Sequence, residues 1–293
     1  MTQHYKSGLP FEVSGKITKL NTDLSTMLAF YRQTPAMAKA LKGPVKNARL
    51  IGEMFEDGIN GNFVGATRAQ LDQHFKGGMD MAPFEKERLR FRQSGLLEKL
   101  QTRMLASHPK RKRRMSEHDG EWDYSRRWEV TPFSNTTRVA NPGKMVNIEC
   151  DFSISCMASA EEINRFGAMA WALSDIIEAS GIVTTITLRF SGGAWDRDSR
   201  DYNFSVCVKK AGQYMAPSLL AASFQSAFLR RVMFASIVAM GEEQGVSCST
   251  GLGYPKPQSK RPIEFKDGAL WITANVHKAT TEEMEGELIK AIA

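Results

Sequence analysis

At 293 residues, with 42% hydrophobic and 24% charged side chains, the chain has an ordinary soluble composition and room for one or two domains. No apolar run reaches the roughly 18 residues of a membrane span, and the polar stretch Met1–Pro10 lacks the apolar core of a secretory signal. Cys150, Cys156, Cys207 and Cys248 form no Cys-x-x-Cys pair, which argues against a disulfide scaffold and for a reducing cytoplasm.

The net charge of +7 is unevenly spread. Residues 1–144 carry 25 Lys+Arg against 15 Asp+Glu, or +10, and residues 145–293 carry 14 against 17, or −3. This asymmetry predicts two parts with different surfaces. The basic part can attract a polyanion such as nucleic acid. A solvated basic surface without such a partner is the competing reading.

Residues 1–20 read as irregular or extended. Asn21 or Thr22 is a candidate cap for a helix through Leu24, Met27, Leu28 and Tyr31, which repeat at helical spacing. Pro35 should interrupt it, with Ala36–Leu41 as a second helix. Val45–Phe55 is another helical pattern, followed by breaks at Gly58, Gly61 and Gly65. Thr67 caps a short helix over Arg68–Phe75. Phe84–Ser107 reads as one longer basic helix weakened by Gly95, since a glycine in a helix costs about 1 kcal/mol relative to alanine.

Lys110, Arg111, Lys112, Arg113 and Arg114 follow Pro109. Five adjacent cations repel one another, so the run is either a solvated loop or an anion contact. Trp122, Tyr124, Arg126, Arg127 and Trp128 then interleave aromatics with cations. That pattern suits a single nucleic-acid strand, with cations on phosphate and rings on bases. Tryptophans anchoring a linker to a core are the alternative.

From Met145 the pattern alternates strand and helix. Met145–Asp151 is a strand. Ser159 and Glu162 form a capping box for a helix bearing Ile163, Phe166, Met169, Leu173, Ile176 and Ile177. Ile182–Phe190 and Tyr202–Val208 are strands, and their short connection suggests a hairpin. Ser218–Met240 is a long apolar helix broken on its surface by Arg230-Arg231. Gln244–Lys266 reads as loop, Asp267-Gly268 as a turn and Leu270–Val276 as a strand. Thr280 and Glu283 cap a terminal helix. The expected fold is α/β, with a mixed, mostly parallel sheet covered by helices on both faces, preceded by a mainly helical basic N-terminal region. The expected divisions are 1–108, a basic and aromatic linker over 109–144, and an α/β domain over 145–293.

Asp151-Phe152-Ser153-Ile154-Ser155 closes the first strand of that domain. Carboxyl ends of parallel strands are where ligands gather, and an acid with two hydroxyls offers oxygen to a hard cation. Side-chain capping of the next turn by Asp151 and Ser153 is the metal-free alternative. With its Asp-x-Ser-x-Ser string, the following helix and the strand ending at Phe190-Ser191, this half resembles a von Willebrand factor A-like domain. The resemblance implies Mg²⁺ held by Asp151, Ser153 and Ser155. Arg113–Trp128 followed by the Asn164–Gly181 helix also resembles a family of uncharacterised tailed-phage proteins, implying a phage-encoded protein in a host cytoplasm.

No phosphate-binding Gly-x-x-x-x-Gly-Lys-Ser/Thr loop, dinucleotide fingerprint, nucleophile elbow or zinc-ligand spacing occurs. The expected function is therefore non-enzymatic. An α/β interaction scaffold would be joined to a basic region in which Lys110–Arg114, Arg126 and Arg127 contact nucleic acid with little sequence preference. Alternatives are a Mg²⁺-dependent protein-assembly module, a structural or virion-associated oligomer, and a metal-dependent hydrolase.

Overall fold

Alternation of apolar and polar residues along the strands decides the architecture. The computed structural model describes residues 8–40, 64–107, 113–116, 121–122, 133–136, 145–154, 158–193, 201–243 and 254–292. Strands β1 (Phe11–Ser14) and β2 (Ile17–Asp23) precede helices α1 (Leu24–Ala40), α2 (Arg68–Phe75), α3 (Ala82–Gln93) and α4 (Leu96–Ser107). Three short strands follow, β3 (Arg113–Ser116), β4 (Glu121–Trp122) and β5 (Phe133–Thr136). Then come β6 (Met145–Asp151), α5 (Ala160–Ala179), β7 (Val183–Gly193), β8 (Asp201–Lys209), α6 (Pro217–Ser223), a π-helical stretch (Phe228–Met233) and α7 (Phe234–Glu243). The chain closes with β9 (Tyr254–Pro255), β10 (Ile263–Lys266), β11 (Ala269–Thr273), a 3-10 turn (Ala274–Lys278) and α8 (Thr281–Ile292).

The main sheet runs β1-β2-β8-β7-β6-β11-β10, with β9 beside the overhang of β7. Pairs β2–β8, β7–β6 and β6–β11 are parallel, whereas β1–β2, β7–β8, β10–β11 and β7–β9 are antiparallel. The sheet is mixed, as expected, but not mostly parallel. Tight hairpins account for the difference, because a two-residue turn joins only antiparallel strands. One hairpin turns at Gly15-Lys16, with Gly15 at φ +59°. The other turns at Asp267-Gly268, with φ of 54° and 74°, the paired positive values of a type I′ turn. The stretch expected to be irregular or extended, 1–20, is extended from Phe11 and supplies a sheet edge, and β3, β5 and β4 form a small antiparallel sheet inside the expected linker.

One face of the main sheet is apolar. It carries Leu20, Phe204, Val206, Ile186, Leu188, Ile148, Cys150, Leu270 and Ile272, all at most 1% exposed. The helices close over this face in a single core. Helix α5 begins at the predicted Ser159/Glu162 capping box and buries Trp171 edge-on against Phe84 of α3, at 5.7 Å between ring centres. Arg88 meets Asp175 at 2.9 Å, and Lys99 of α4 meets Glu285 of α8 at 2.8 Å. Residues before 108 therefore share a core with those after 145.

Three helices differ from expectation. Gly95, at φ +72°, divides the basic helix into α3 and α4. Helix α1 runs on through Pro35. A proline has no N–H for the carbonyl four residues back, and the Arg68 guanidinium donates to that Tyr31 carbonyl at 3.3 Å. Arg230 and Arg231, expected at the surface, are each 2% exposed. Arg230 donates to the Ala158 carbonyl and Arg231 Nε to the Ala66 carbonyl, at 2.5 and 2.8 Å. Among the described residues no helix is long and apolar enough to cross a membrane.

Candidate functional site

The opposite face of the sheet is polar, as one face of an antiparallel or mixed sheet can be. Strand register sets its side chains in rows. Lys19, Asn203 and Ser191 lie directly opposite one another on β2, β8 and β7. The next row is Asn21, Ser205, Arg189, Asp151 and Thr273, from β2 across to β11. A third contains Cys207, Thr187, Glu149 and Trp271.

These rows border an open depression of about 290 Å³. Lys19, Asn21, Asn203, Arg189, Gln258 and Trp271 line it. Lys19 and Asn21 are exposed and Asn203 is half-buried. Among the described residues, none pairs with the side chains of these three. Arg189 is fixed instead. Its Nε and a terminal nitrogen donate to the two oxygens of Glu149 at 2.7 and 3.2 Å, and its guanidinium lies 6.0 Å from the Trp271 ring centre. Lys266 Nζ lies 5.3 Å from the same ring and donates to the Gln258 carbonyl at 2.6 Å. The Trp271 Nε1–H is buried and has no acceptor among the described residues. Burial raises the Cys207 thiol pKa, so the thiol stays protonated at neutral pH.

One rim of the depression is a clasp. Past the end of β6, the segment at 254–258 returns beside β7, with Lys256 N–H donating to the Ser191 carbonyl at 2.8 Å. Gln258 Nε2 donates to Ser191 Oγ at 3.1 Å. The Gln258 main-chain N–H donates to Asp151 Oδ2 at 2.7 Å, while Asp151 Oδ1 accepts the Ser153 N–H at 2.9 Å. Ser153 Oγ in turn accepts the Ser191 N–H at 2.8 Å. Asp151 is 2% exposed.

Asp151 and Ser153, two of the residues read as a Mg²⁺ site, are engaged by the fold itself. Both Asp151 oxygens and the Ser153 hydroxyl already accept main-chain donors, and Gln258 covers the carboxylate. A hard cation needs about six oxygens, and no cluster of three His, Cys, Asp or Glu side chains placed to hold a metal exists among the described residues. Ser155 lies outside the described residues, as do Lys110, Arg111, Lys112, Arg126 and Arg127. Arg113 and Arg114 are on β3, opposite Thr136 and Asn135. Lys19, Asn21, Arg189, Asn203, Gln258 and Trp271 were not anticipated. A polar residue at every second position in β2 and β8 was the available signal.

Fold and site define a mixed α/β protein with an apolar sheet face under helices and a polar one around a depression. The model of the family described as "Domain of unknown function (DUF7192)" matches residues 102–288, and the chain belongs to that family. No curated protein and no solved structure matches it.

Proposed function

We propose that the protein is a non-enzymatic nucleic-acid-contacting protein, with the mixed sheet as scaffold and contact made mainly through phosphate. The polar sheet face carries this reading. Lys19 forms no ion pair among the described residues, though Glu12 stands opposite it on β1, and the amides of Asn21 and Asn203 and an aromatic stand around a cavity of about 290 Å³. The +10 balance of residues 1–144 adds a long-range attraction for polyanions. Lys110–Arg114, Arg126 and Arg127 supply further phosphate contacts. Amides both donate and accept, so they suit many bases and favour binding with little sequence preference.

Residues 145–293 are, on this reading, a von Willebrand factor A-like domain. Supporting this are a strand ending at Asp151, a helix from Ala160 to Ala179 and a parallel strand through Phe190-Ser191. The setting is a phage-encoded protein in the host cytoplasm. Anisotropy titrations of labelled DNA and RNA at two salt concentrations test the function, using the intact chain and a variant with Lys110–Arg114 changed to Ala. If all five cations meet a single strand, the logarithmic salt slope of the intact chain is steeper by about 3.5. Equal slopes for the two proteins exclude the basic run as a contact.

A further inference from the structure

We infer that the polar-face depression is a subsite for one unpaired nucleotide of a single strand. This rests on the nucleic-acid reading above and narrows it. At about 290 Å³ the depression is at the small end of ligand sites. It suits a single base with its phosphate.

Access favours an unpaired base. Duplex base edges lie at the bottom of grooves that admit a helix or a two-stranded ribbon. Strands β2 and β8 offer an accessible face instead, with Lys19 and Asn21 exposed and Asn203 and Ser205 half-buried, and it meets bases that can be splayed out of a stack. The chemistry agrees. Lys19 is the cation for a phosphate: it stands between Glu12 on β1 and Asn203 on β8 in the row that ends at Ser191, and forms no ion pair with Glu12. Asn21, Asn203 and Gln258 present amides to a polar base edge. Glu149 compensates the charge of Arg189 and holds its planar guanidinium beside Trp271. These two groups form the wall of the depression, and phosphate attraction falls to Lys19.

The test uses the full chain, a Lys19→Gln/Asn203→Leu variant, and the variant with Lys110–Arg114 changed to Ala. Each is titrated against a labelled homopolymeric single strand and a duplex. Both substituted side chains of the double variant face solvent at least in part; circular dichroism checks folding, and Lys19→Gln alone replaces it if it does not fold. Single-strand affinity of the double variant should fall about tenfold, with a salt slope shallower by about 0.7, the loss of one phosphate. Duplex affinity should not change. Unchanged single-strand affinity, with loss only in the basic-run variant, overturns the subsite and leaves the nucleic-acid reading standing. Equal losses for single strand and duplex overturn the preference for an unpaired base. Failure of the intact chain to bind any nucleic acid overturns the reading and the subsite together.

Discussion

Replacing Asp151 by alanine should open the clasp and cost about 2–4 kcal/mol of stability. Two main-chain N–H groups, of Ser153 and Gln258, donate to its carboxylate at 2.9 and 2.7 Å. Each hydrogen bond to a charged group contributes about 1.5–3 kcal/mol. Their sum is reduced because alanine also relieves the cost of burying a lone carboxylate. Asp151→Asn keeps one acceptor and turns an NH₂ toward the other donor, so about half the loss should remain. Ser153→Ala, which orphans only the Ser191 N–H, should cost about 1 kcal/mol. Urea unfolding gives the three values. Amide hydrogen exchange at Gln258 should quicken in Asp151→Ala more than exchange along the β6–β7 ladder, because the clasp opens before the sheet does. An Asp151→Ala loss below about 0.5 kcal/mol, with Gln258 exchange unchanged, refutes the reasoning. So does a Mg²⁺-dependent stabilisation of the intact chain that vanishes in Asp151→Ala.

Gly167→Ala should destabilise by about 1–3 kcal/mol in urea unfolding, even though alanine favours the helix by about 1 kcal/mol. Its Cβ would lie 2.1 Å from the Phe224 carbonyl oxygen, which is main chain and cannot rotate away. Asp23 holds the start of α1. The Thr26 N–H, then the Ser25 hydroxyl, lower its carboxyl from the usual 3.8 to about 2. A depressed carboxyl stabilises above its unfolded pKa and loses that contribution as pH falls through the folded one. Asp23→Ala should therefore cost about 1 kcal/mol at pH 7, and its unfolding midpoint should converge on that of the intact chain toward pH 2. Trp271→Phe removes a buried N–H that has no acceptor among the described residues. Its melting temperature should match or exceed that of the intact chain, and a loss above about 1 kcal/mol counts against the unmet donor.

Local chemistry made part of the fold legible in the sequence. The Ser159/Glu162 and Thr280/Glu283 boxes and the Asp267-Gly268 turn depend on neighbours within three residues, and all three form. The first hairpin was missed because Phe11–Ser14 is short and mostly exposed, while β2 alternates Thr18 and Leu20 with Lys19 and Asn21. An edge strand with one solvated face gives a weak apolar signal. Arg230 and Arg231 read as surface because charge normally prefers water. Their carbonyl partners Ala158 and Ala66 lie 72 and 165 residues away in sequence, beyond any local pattern.

The candidate site was legible only in pieces. Asp151 and Ser153 stood out by spacing, and the alternative that they cap the following backbone describes Asp151, whereas the Ser153 hydroxyl accepts from Ser191, 38 residues on. The depression is assembled from β2, β7, β8, β11 and the Gln258 segment. Pairing of β2 with β8 brings Lys19 to Asn203 across the whole intervening chain, and nothing in either strand alone announces that partner.

Binding of a labelled single strand to the intact chain, followed by anisotropy at low and moderate salt beside a matched duplex, tests the central claim most directly. Single-strand binding should weaken steeply with salt and exceed duplex binding at each salt concentration. Salt-insensitive binding, or none at low salt, contradicts it.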